Sequence, residues 1–369
     1  MRALGIILAG GSSDRLESLV DHRAAAAMPV GSCYRAIDFV LSNMSNSGIN
    51  KVGVVTQYNS QSLQNHLSSE KWWNFGRKSG GLFVFSPFVS NKNSFWFRGT
   101  ADAIYQNLAF LKLSNEPYVI IASGNHVYKL NYQDVLEFHV KNKADITLIS
   151  KIINDEDLCN YGIIKTDEMG KVIDFEEKPL EPQSNLVSLG IYIISRTLLI
   201  NLLELVIASN RYNFVEDIII KYRKKLDILA YKFDGYWKNI NCVKNYYDVN
   251  MDFLDSEIRN LFIKKMPFIE TKPKDEPPAK FNLNAHVKNV LVGSGSIING
   301  EIINSIVFSK VYTGDNSSVK DSVVMDKSYI GNNCVVENAI IDKEVIISDW
   351  KKIIGKKDKP VIIARNSVI

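Results

Sequence analysis

The first stretch of this sequence that could do chemistry is a short glycine turn near the N-terminus. An apolar run leads into Gly10 and Gly11, and Arg15 follows. Two glycines let backbone N–H groups approach a phosphate closely, and an arginine can bind its oxygens. Ser13 and Asp14 stand between them, and a carboxylate beside a phosphate would repel it. The turn therefore predicts a phosphate site with an unusual negative charge at its tip.

Four short runs rich in valine and isoleucine are predicted to form the strands that position this turn. They are apolar throughout, which is typical of strands covered on both faces in a parallel sheet. Helical periodicity lies between them, as in residues 100–113, and residues 161–179 form two strand-like runs around a turn. The pattern indicates a doubly wound α/β domain whose ligand crevice lies at the carboxyl ends of the strands. The four runs are residues 5–9, 51–57, 118–123 and 145–150.

The chain changes character after about residue 255. Residues 270–281 combine proline with charge and lack periodicity, which is typical of a linker. Beyond them apolar residues recur every six positions, a pattern that favours a parallel β-helix over the alternative, a small antiparallel β domain. One register comprises Val311, Ser317, Val323, Tyr329, Val335, Ile341 and Ile347, and a second comprises Val324, Ile330 and Val336. The predicted units are an α/β domain over 1–255, a linker over 256–281 and a β-helix over 282–369.

Composition limits the function classes. The chain has 369 residues, a net charge of +4 without a basic tract, and four cysteines without a CxxC pair. These features argue against nucleic-acid binding, a metal cluster and a disulfide framework. The apolar start is too short for a membrane span and lacks the cleavage pattern of a signal peptide. We therefore expect a cytoplasmic protein without nucleic-acid or membrane partners.

Eight motifs follow one another along the chain, namely LAGG (8–11), YRAIDFVLSNMSNSGI (34–49), RGTADAIYQN (98–107), GNHVYKLNY (124–132), FEEKP (175–179), SLGIY (188–192), GYWKNI (235–240) and EPPAKF (276–281). In this order they resemble the glucose-1-phosphate adenylyltransferases (ADP-glucose pyrophosphorylases) of bacterial glycogen synthesis, over nearly the whole chain. The resemblance implies a Rossmann-like, GT-A-like nucleotidyltransferase domain followed by a left-handed β-helix of hexapeptide repeats. It also implies the reaction of ATP with glucose-1-phosphate to give ADP-glucose and pyrophosphate, with magnesium between the substrates.

The sequence departs from this family where catalytic members bind phosphate and magnesium. Ser13 and Asp14 replace the glycine and threonine of GGxGTRL, and Ala25 replaces the lysine of RAKP. Asn125 and Asn239 replace the two magnesium-binding aspartates of GDHIY and YWxDVGT, so both negative charges are lost. The resemblance therefore implies no catalytic residues and no metal site here, with Mg²⁺ only in a catalytic partner. An outward-turned, neutral Asp14 is an alternative, but it would not restore the lost lysine and aspartates.

The substrate-binding motifs are better preserved. The resemblance implies vestigial nucleotide binding by Leu8, Ala9, Gly10, Gly11, Arg15, Gly99, Thr100, Asp102 and Gly124. It implies sugar-phosphate binding by Glu177, Lys178, Ser188, Gly190 and Tyr192. The alternative is that these residues have only a structural role and bind no ligand. Glu–Lys pairs, for example, are commonly solvated pairs on the surface. A sugar phosphate or a nucleotide is thus expected to bind, if at all, without turnover.

A chain with altered catalytic positions and preserved substrate-binding motifs is similar to the GlgD-type, non-catalytic subunit of the family. It implies a regulatory chain that joins a catalytic paralogue in a heterotetramer and raises or alters its activity. Cys33 stands where many members carry an activator-binding lysine, so the activator site is expected to be altered. Two alternatives are an active sugar-1-phosphate nucleotidyltransferase with compensating residues and a hexapeptide acyltransferase. The acyltransferase would need a histidine on the β-helix, and the only histidine near it in the sequence is His286, at the start of that domain.

Overall fold

The structure, a computed structural model, describes residues 1–76, 80–88, 96–154 and 158–369. Its first thirteen strands are β1 (Ala3–Leu8), β2 (Pro29–Val30), β3 (Tyr34–Arg35), β4 (Lys51–Val55), β5 (Gly81–Phe85), β6 (Tyr118–Ser123), β7 (His126–Tyr128), β8 (Ile146–Ile152), β9 (Gly162–Thr166), β10 (Val172–Glu177), β11 (Leu186–Ser195), β12 (Ile228–Lys232) and β13 (Trp237–Asn239). The α-helices are α1 (Ala36–Asn46), α2 (Gln61–Leu67), α3 (Thr100–Tyr105), α4 (Leu108–Lys112), α5 (Tyr132–Lys141), α6 (Arg196–Ala208), α7 (Val243–Asp252) and α8 (Ser256–Ile263). Within these described ranges, every helix is too short or too polar to cross a membrane.

A mostly parallel sheet forms the centre of the N-terminal domain, as predicted. Among the described residues it has nine strands, with the path β10-β9-β11-β6-β1-β4-β5 and with β8 between β11 and β12. Strands β6, β1, β4 and β5 are parallel, and buried apolar clusters cover both faces. The carboxyl end of β1, from which the glycine turn leaves, therefore lies in the middle of the sheet edge where a crevice is expected.

The structure differs from the sequence-based prediction at one strand and at one helix. Strand β8, predicted within residues 145–150, pairs antiparallel with β11 and parallel only with β12. The helix predicted over 100–113 is divided into α3 and α4, because Asn107 leaves helical geometry and caps Ala103 with its side chain at 2.9 Å. The predicted hairpin within 161–179 is confirmed as β9 and β10.

The C-terminal domain is a parallel β-helix, as predicted, whose handedness stays a prediction. Its strands are β14 (Lys280–Phe281), β15 (His286–Val292), β16 (Ile297–Ile298), β17 (Glu301–Val307), β18 (Tyr312–Thr313), β19 (Ser318–Lys320), β20 (Val323–Val324), β21 (Tyr329–Ile330), β22 (Val335–Glu337), β23 (Ala339–Ile341), β24 (Ile346–Ile347), β25 (Lys352–Ile354) and β26 (Val361–Ile363). Corresponding residues of later coils lie 17 positions apart, as Tyr312, Tyr329 and Ile346 do. The second predicted register (Val324, Ile330 and Val336) is buried inside the coils, whereas Val323, Tyr329 and Val335 of the first register face outward.

The two domains share one hydrophobic cluster. Residues of the α/β domain such as Phe39 and Tyr246 pack in the same cluster as Ile306 and Val323 of the β-helix. Because this surface is continuous, separating the domains would expose apolar area on both sides. The predicted boundaries at 255 and 281 stay predictions.

A buried ion pair crosses the same joint. Arg23 Nη2 lies 2.6 Å from Asp342 Oδ1, and the two side chains are 3% and 1% exposed. Residues of the expected linker also lie on the α/β domain: the Thr271 hydroxyl donates to Asp38 Oδ2 at 2.6 Å, and the Glu270 N–H donates to Ser42 Oγ at 2.8 Å. The joint is thus held by apolar packing, one buried charge pair and a docked connection.

Candidate functional site

A cleft of about 450 Å³ opens at the carboxyl end of β1. Its walls are the glycine turn, the ends of β6 and β13, and the β9–β10 hairpin with β11. It is lined by residues expected from the sequence, namely Ser13, Asp14, Arg15, Thr100, Asn125, Glu177, Lys178, Ser188, Gly190, Tyr192 and Asn239. The fold therefore brings together four of the five altered positions and the expected sugar-phosphate residues in one place.

The glycine turn continues into a 3₁₀ helix, Asp14–Val20, that begins at the charged residue itself. Asp14 is exposed and lines the cleft beside Arg15, whose Nη1 donates a hydrogen bond to Asn160 Oδ1 on the opposite wall. A ligand phosphate near Arg15 would therefore also lie near the Asp14 carboxylate, which opposes its binding.

The two asparagines expected at the magnesium positions bind each other. Strand β13 pairs antiparallel with β7, which places Asn239 opposite His126 and next to Asn125. Asn125 Nδ2 donates to Asn239 Oδ1 and to the Ile240 carbonyl oxygen, each at 3.0 Å. Both donor protons of this amide are thus used within the protein.

This arrangement does not fit a magnesium ion. Mg²⁺ prefers anionic oxygen ligands, whereas the group at Asn125 presents N–H donors toward its neighbour and neither side chain carries charge. Two carboxylates at this separation would repel each other without a cation, but two amides stabilise each other without one. Across the described part of the chain, no group of three or more His, Cys, Asp or Glu residues is arranged to hold a metal.

Ala25 lies apart from the cleft. It begins the 3₁₀ helix Ala25–Ala27, is 7% exposed, and belongs to the apolar cluster that contains Leu16 and Met28. It is not part of the cleft lining. The position expected for a phosphate-binding lysine is therefore filled by a side chain that serves packing.

The expected sugar-phosphate residues stand on the opposite wall. Lys178 Nζ lies 3.8 Å from Glu177 Oε1, and burial raises the pKa of Glu177 while the Lys178 charge opposes the rise. Lys178 itself adopts a left-handed backbone conformation with φ of +50°, which non-glycine residues adopt at a cost. Gly190 (φ +64°) lies where the pairing of β11 with β8 shifts register. These local irregularities turn side chains of the hairpin and of β11 toward the cleft.

Two buried side chains of this wall were not predicted individually, although their motifs were noted. His126 Nδ1 and Trp237 Nε1 line the cleft without a hydrogen-bond partner among the described residues, and their rings lie 5.1 Å apart. Burial lowers the pKa of His126 to about 3, so the ring is neutral. Buried polar atoms normally find partners, so these two atoms are exceptions that belong to the wall of the cleft.

A smaller cavity of about 240 Å³ adjoins the cleft and shares Leu8 and Thr100 with it. Its lining includes five of the expected nucleotide-binding residues, namely Leu8, Gly10, Gly11, Gly99 and Thr100. Sequence analysis missed Gln57, Tyr58 and Phe97, which complete the walls and carry no motif of their own. The Phe97 N–H donates to Gln57 Oε1 at 2.8 Å, which fixes one wall.

Three other expected nucleotide-binding residues lie outside both cavities. Asp102 is buried and accepts hydrogen bonds from the Arg98 N–H and from Gln106 Nε2, both at 2.9 Å. Ala9 is buried beneath the turn, and a Cβ on Gly124 would approach Ala9 Cβ within 3.2 Å. These three residues pack behind the residues that line the two cavities.

A third cavity, of about 270 Å³, lies at the domain joint and contains Cys33. Its basic side chains are Arg35, Lys272, Lys274 and Lys343. The Asp326 carboxylate accepts hydrogen bonds from Lys274 and lies 2.8 Å from Lys343 Nζ. Burial alone would raise the pKa of Asp326, but the charges of Lys343 and Lys274 lower it to about 2. Two of the cations are therefore paired with a single carboxylate of the protein, which offsets one of their two charges.

Comparison with known proteins identifies close relatives of both domains. The Nucleotidyl transferase family profile matches residues 4–256, and the GlmU-like, C-terminal hexapeptide profile matches residues 277–360. The chain is 37% identical over 323 residues to the glucose-1-phosphate adenylyltransferase of Geobacillus stearothermophilus, covering 86% of this chain and 83% of that protein. It is 39% identical over 320 residues to that of Clostridium acetobutylicum and 37% identical over 325 residues to that of Bacillus subtilis, in each case covering 86% of this chain and 84% of the relative.

Proposed function

Because the chain belongs to the glucose-1-phosphate adenylyltransferase family, we propose that it is a regulatory, catalytically impaired subunit of that enzyme. In this role it joins a catalytic paralogue in a heterotetramer of glycogen biosynthesis and raises or modifies the partner's activity, like the GlgD-type subunits. Mg²⁺ is needed only in the partner. The proposed compartment is the cytoplasm.

One observation carries the proposal: the hydrogen bond between Asn125 and Asn239. Adenylyl transfer needs cations that neutralise the charge developing on the phosphates, and a metal bridging both substrates is the usual source. Here the two expected ligand positions are uncharged and bonded to each other. The site therefore holds its shape without a metal, and the electrostatic stabilisation that a metal would give to the transition state is missing.

Two further features support impairment. The phosphate-binding lysine is replaced by the buried Ala25, and Asp14 brings negative charge into the cleft. Loss of a single electrostatic partner of a transition state typically costs about 10²–10³ in rate. Several losses at one site are not additive, but together they leave little catalysis.

The isolated chain is expected to make almost no ADP-glucose. With ATP, glucose-1-phosphate and Mg²⁺, its rate of pyrophosphate release should be at least about 100-fold below that of a catalytic family member, because the charges at the metal and lysine positions are missing. The control is the same preparation mixed with its catalytic paralogue, whose rate it should change. Turnover by the chain alone at a rate comparable to that of a catalytic member would refute the proposal.

We also propose that the cleft still binds a sugar phosphate. Lys178 is exposed with only a long contact to Glu177, so its ammonium group can reach a phosphate. Glu177 lines the same cleft with a partly exposed carboxylate, which can accept hydrogen bonds from sugar hydroxyls. A nucleotide in the adjoining cavity is the second possible ligand, but Asp14 opposes its phosphates.

Binding of glucose-1-phosphate should be measurable by calorimetry with EDTA present, and Lys178→Ala should weaken it at least about tenfold through loss of a charge-assisted hydrogen bond. Lys171→Ala is the matched control, since Lys171 lies on the same hairpin as Lys178, pairs with Asp227 outside the hairpin and does not line the cleft. Equal effects of the two substitutions, or no heat of binding by the unchanged chain at millimolar ligand, would exclude this second role.

An active sugar-1-phosphate nucleotidyltransferase is the alternative function. The open cleft and the presence of Arg15, Glu177 and Lys178 in its walls favour it. The pyrophosphate assay described above separates the two functions. The altered activator position fits the regulatory role better, because Cys33 cannot supply the positive charge that an anionic activator needs, and the Asp326 carboxylate offsets one of the two lysine charges beside it.

A further inference from the structure

One side chain of the glycine turn reaches across the cleft. Arg15 is the second residue of the 3₁₀ helix Asp14–Val20 on one wall, and its Nη1 donates a hydrogen bond to Asn160 Oδ1 on the other. Asn160 ends the short 3₁₀ helix Leu158–Asn160, just before strand β9. Both residues line the cleft, so this bond lies within the space that a ligand would enter.

Packing fixes the backbone that carries Arg15. Leu16 and Leu19, on the same 3₁₀ helix, are fully buried and belong to the apolar cluster that contains Met28. Glu17 has φ of +52° and ψ of −140°, a conformation that residues other than glycine adopt at a cost and that persists only where the surrounding structure imposes it. The fold therefore sets where the Arg15 side chain starts, at the wall of the cleft.

The opposite wall is fixed as well. Tyr161, next to Asn160, is 6% exposed, and its ring centroid lies 5.7 Å from that of Trp237. The Tyr161 carbonyl oxygen accepts a hydrogen bond from the Lys178 N–H at 3.1 Å, which helps to hold Lys178 in its left-handed conformation. The segment that binds Arg15 therefore also positions the lysine that we propose for sugar-phosphate binding.

The bond between Arg15 and Asn160 opposes the binding of a polyphosphate at the glycine turn. A guanidinium binds phosphate oxygens most strongly when its fork of N–H donors faces them. Here Nη1 is directed to the opposite wall, so phosphates on the turn cannot use this donor while the bond exists. Asp14 adds a negative charge at the tip of the turn. A triphosphate would therefore have to break the bond with Asn160 and also approach a carboxylate.

A sugar monophosphate does not meet this obstacle, because Lys178, whose side chain is 66% exposed, can bind its phosphate on the hairpin wall. We infer that Asn160 determines the ligand class of the cleft. By holding Arg15 on the opposite wall, Asn160 makes the cleft select a sugar monophosphate over the triphosphate of a nucleotide. This inference rests on the proposed sugar-phosphate binding and adds its specificity, and it does not depend on the regulatory role.

Calorimetry of the full chain with tripolyphosphate and with glucose-1-phosphate, both with EDTA present, tests this inference. Asn160→Ala should tighten the binding of tripolyphosphate at least about threefold, because Arg15 Nη1 becomes available to phosphate, and should change that of glucose-1-phosphate less than about twofold. Asn160→Asp should weaken the binding of tripolyphosphate, since a charge-assisted bond holds Arg15 more firmly. Asn185→Ala is the matched control, because it removes an amide that bonds to Asn154 outside the cleft and should change neither affinity.

A second background separates the bond from a general change in the cleft. In a chain that carries Arg15→Ala, Asn160→Ala should no longer tighten the binding of tripolyphosphate, because the guanidinium that it releases is absent. Circular dichroism should show that all variants are folded. No tightening by Asn160→Ala, or equal tightening with and without Arg15, would overturn the inference. Tightening that depends on Arg15, in a chain that binds no glucose-1-phosphate, would support the exclusion of triphosphates by Asn160 and refute only the proposed sugar-phosphate binding.

Discussion

Pyrophosphate release should rise at least about 100-fold over the unchanged chain when all five altered positions are restored, by Ser13→Gly, Asp14→Thr, Ala25→Lys, Asn125→Asp and Asn239→Asp. The restored carboxylates would again favour a magnesium ion. Ala25 itself does not line the cleft, so the long side chain of a lysine at this position is expected to leave the apolar cluster and carry its ammonium group to the phosphates. Arg15, Glu177 and Lys178 already line the cleft and need no change.

Each substitution alone should recover little of this activity. The groups act on one transition state, so their effects are coupled and do not add. The assay is pyrophosphate release by each single variant and by the combined variant, purified without the catalytic partner. Thermal unfolding and glucose-1-phosphate binding serve as controls for folding. Full activity from any one substitution would contradict a loss distributed over several positions.

The second large effect is expected on stability. Arg23→Met should lower the free energy of unfolding by about 3–5 kcal/mol, because it leaves the Asp342 carboxylate buried without its charge partner. Urea denaturation followed by circular dichroism measures the change. The matched control is Lys112→Met, which removes an exposed pair with Glu204 of similar length, 2.7 Å, and should cost at most about 1 kcal/mol.

The double variant Arg23→Met, Asp342→Leu distinguishes the cause. If the uncompensated charge is responsible, replacing both partners by apolar side chains should recover most of the lost stability. If the double variant is as unstable as Arg23→Met alone, packing around the arginine is what matters, and the buried-charge explanation is wrong.

The sequence predicted the architecture well because periodicity reports burial directly. Continuous apolar runs located β1, β4 and β6, and the six-residue repeat located the β-helix. The repeat could not show which of two adjacent apolar residues faces inward, since neighbouring positions on a strand point to opposite sides. Tyr329 therefore lies outside the coils, although Ile341 and Ile347 of the same register are buried inside them. Nor could the repeat show that Val323 packs against another domain.

The sequence predicted individual residues of the site but not the contacts between them. Local motifs supplied Arg15, Glu177 and Lys178, and the structure places all three in the cleft wall. The bond between Asn125 and Asn239 joins positions 114 residues apart, and it depends on how β7 and β13 pair. The pair Arg23 and Asp342 is more distant still. Contacts of this range are set by the tertiary fold, and no local spacing encodes them.

The hydrogen bond between the two asparagines also makes the order of change important. Asn239→Asp keeps an oxygen opposite Asn125 Nδ2, so the existing bond survives and gains charge assistance. Asn125→Asp instead removes the donor and sets a carboxylate against two acceptors, Asn239 Oδ1 and the Ile240 carbonyl oxygen. A chain that regained its carboxylates one at a time would therefore keep the existing bond unchanged only if position 239 changed first. In the reverse order the Asn239 amide would have to turn and present its Nδ2 to the new carboxylate, while the Ile240 carbonyl oxygen would still oppose that carboxylate.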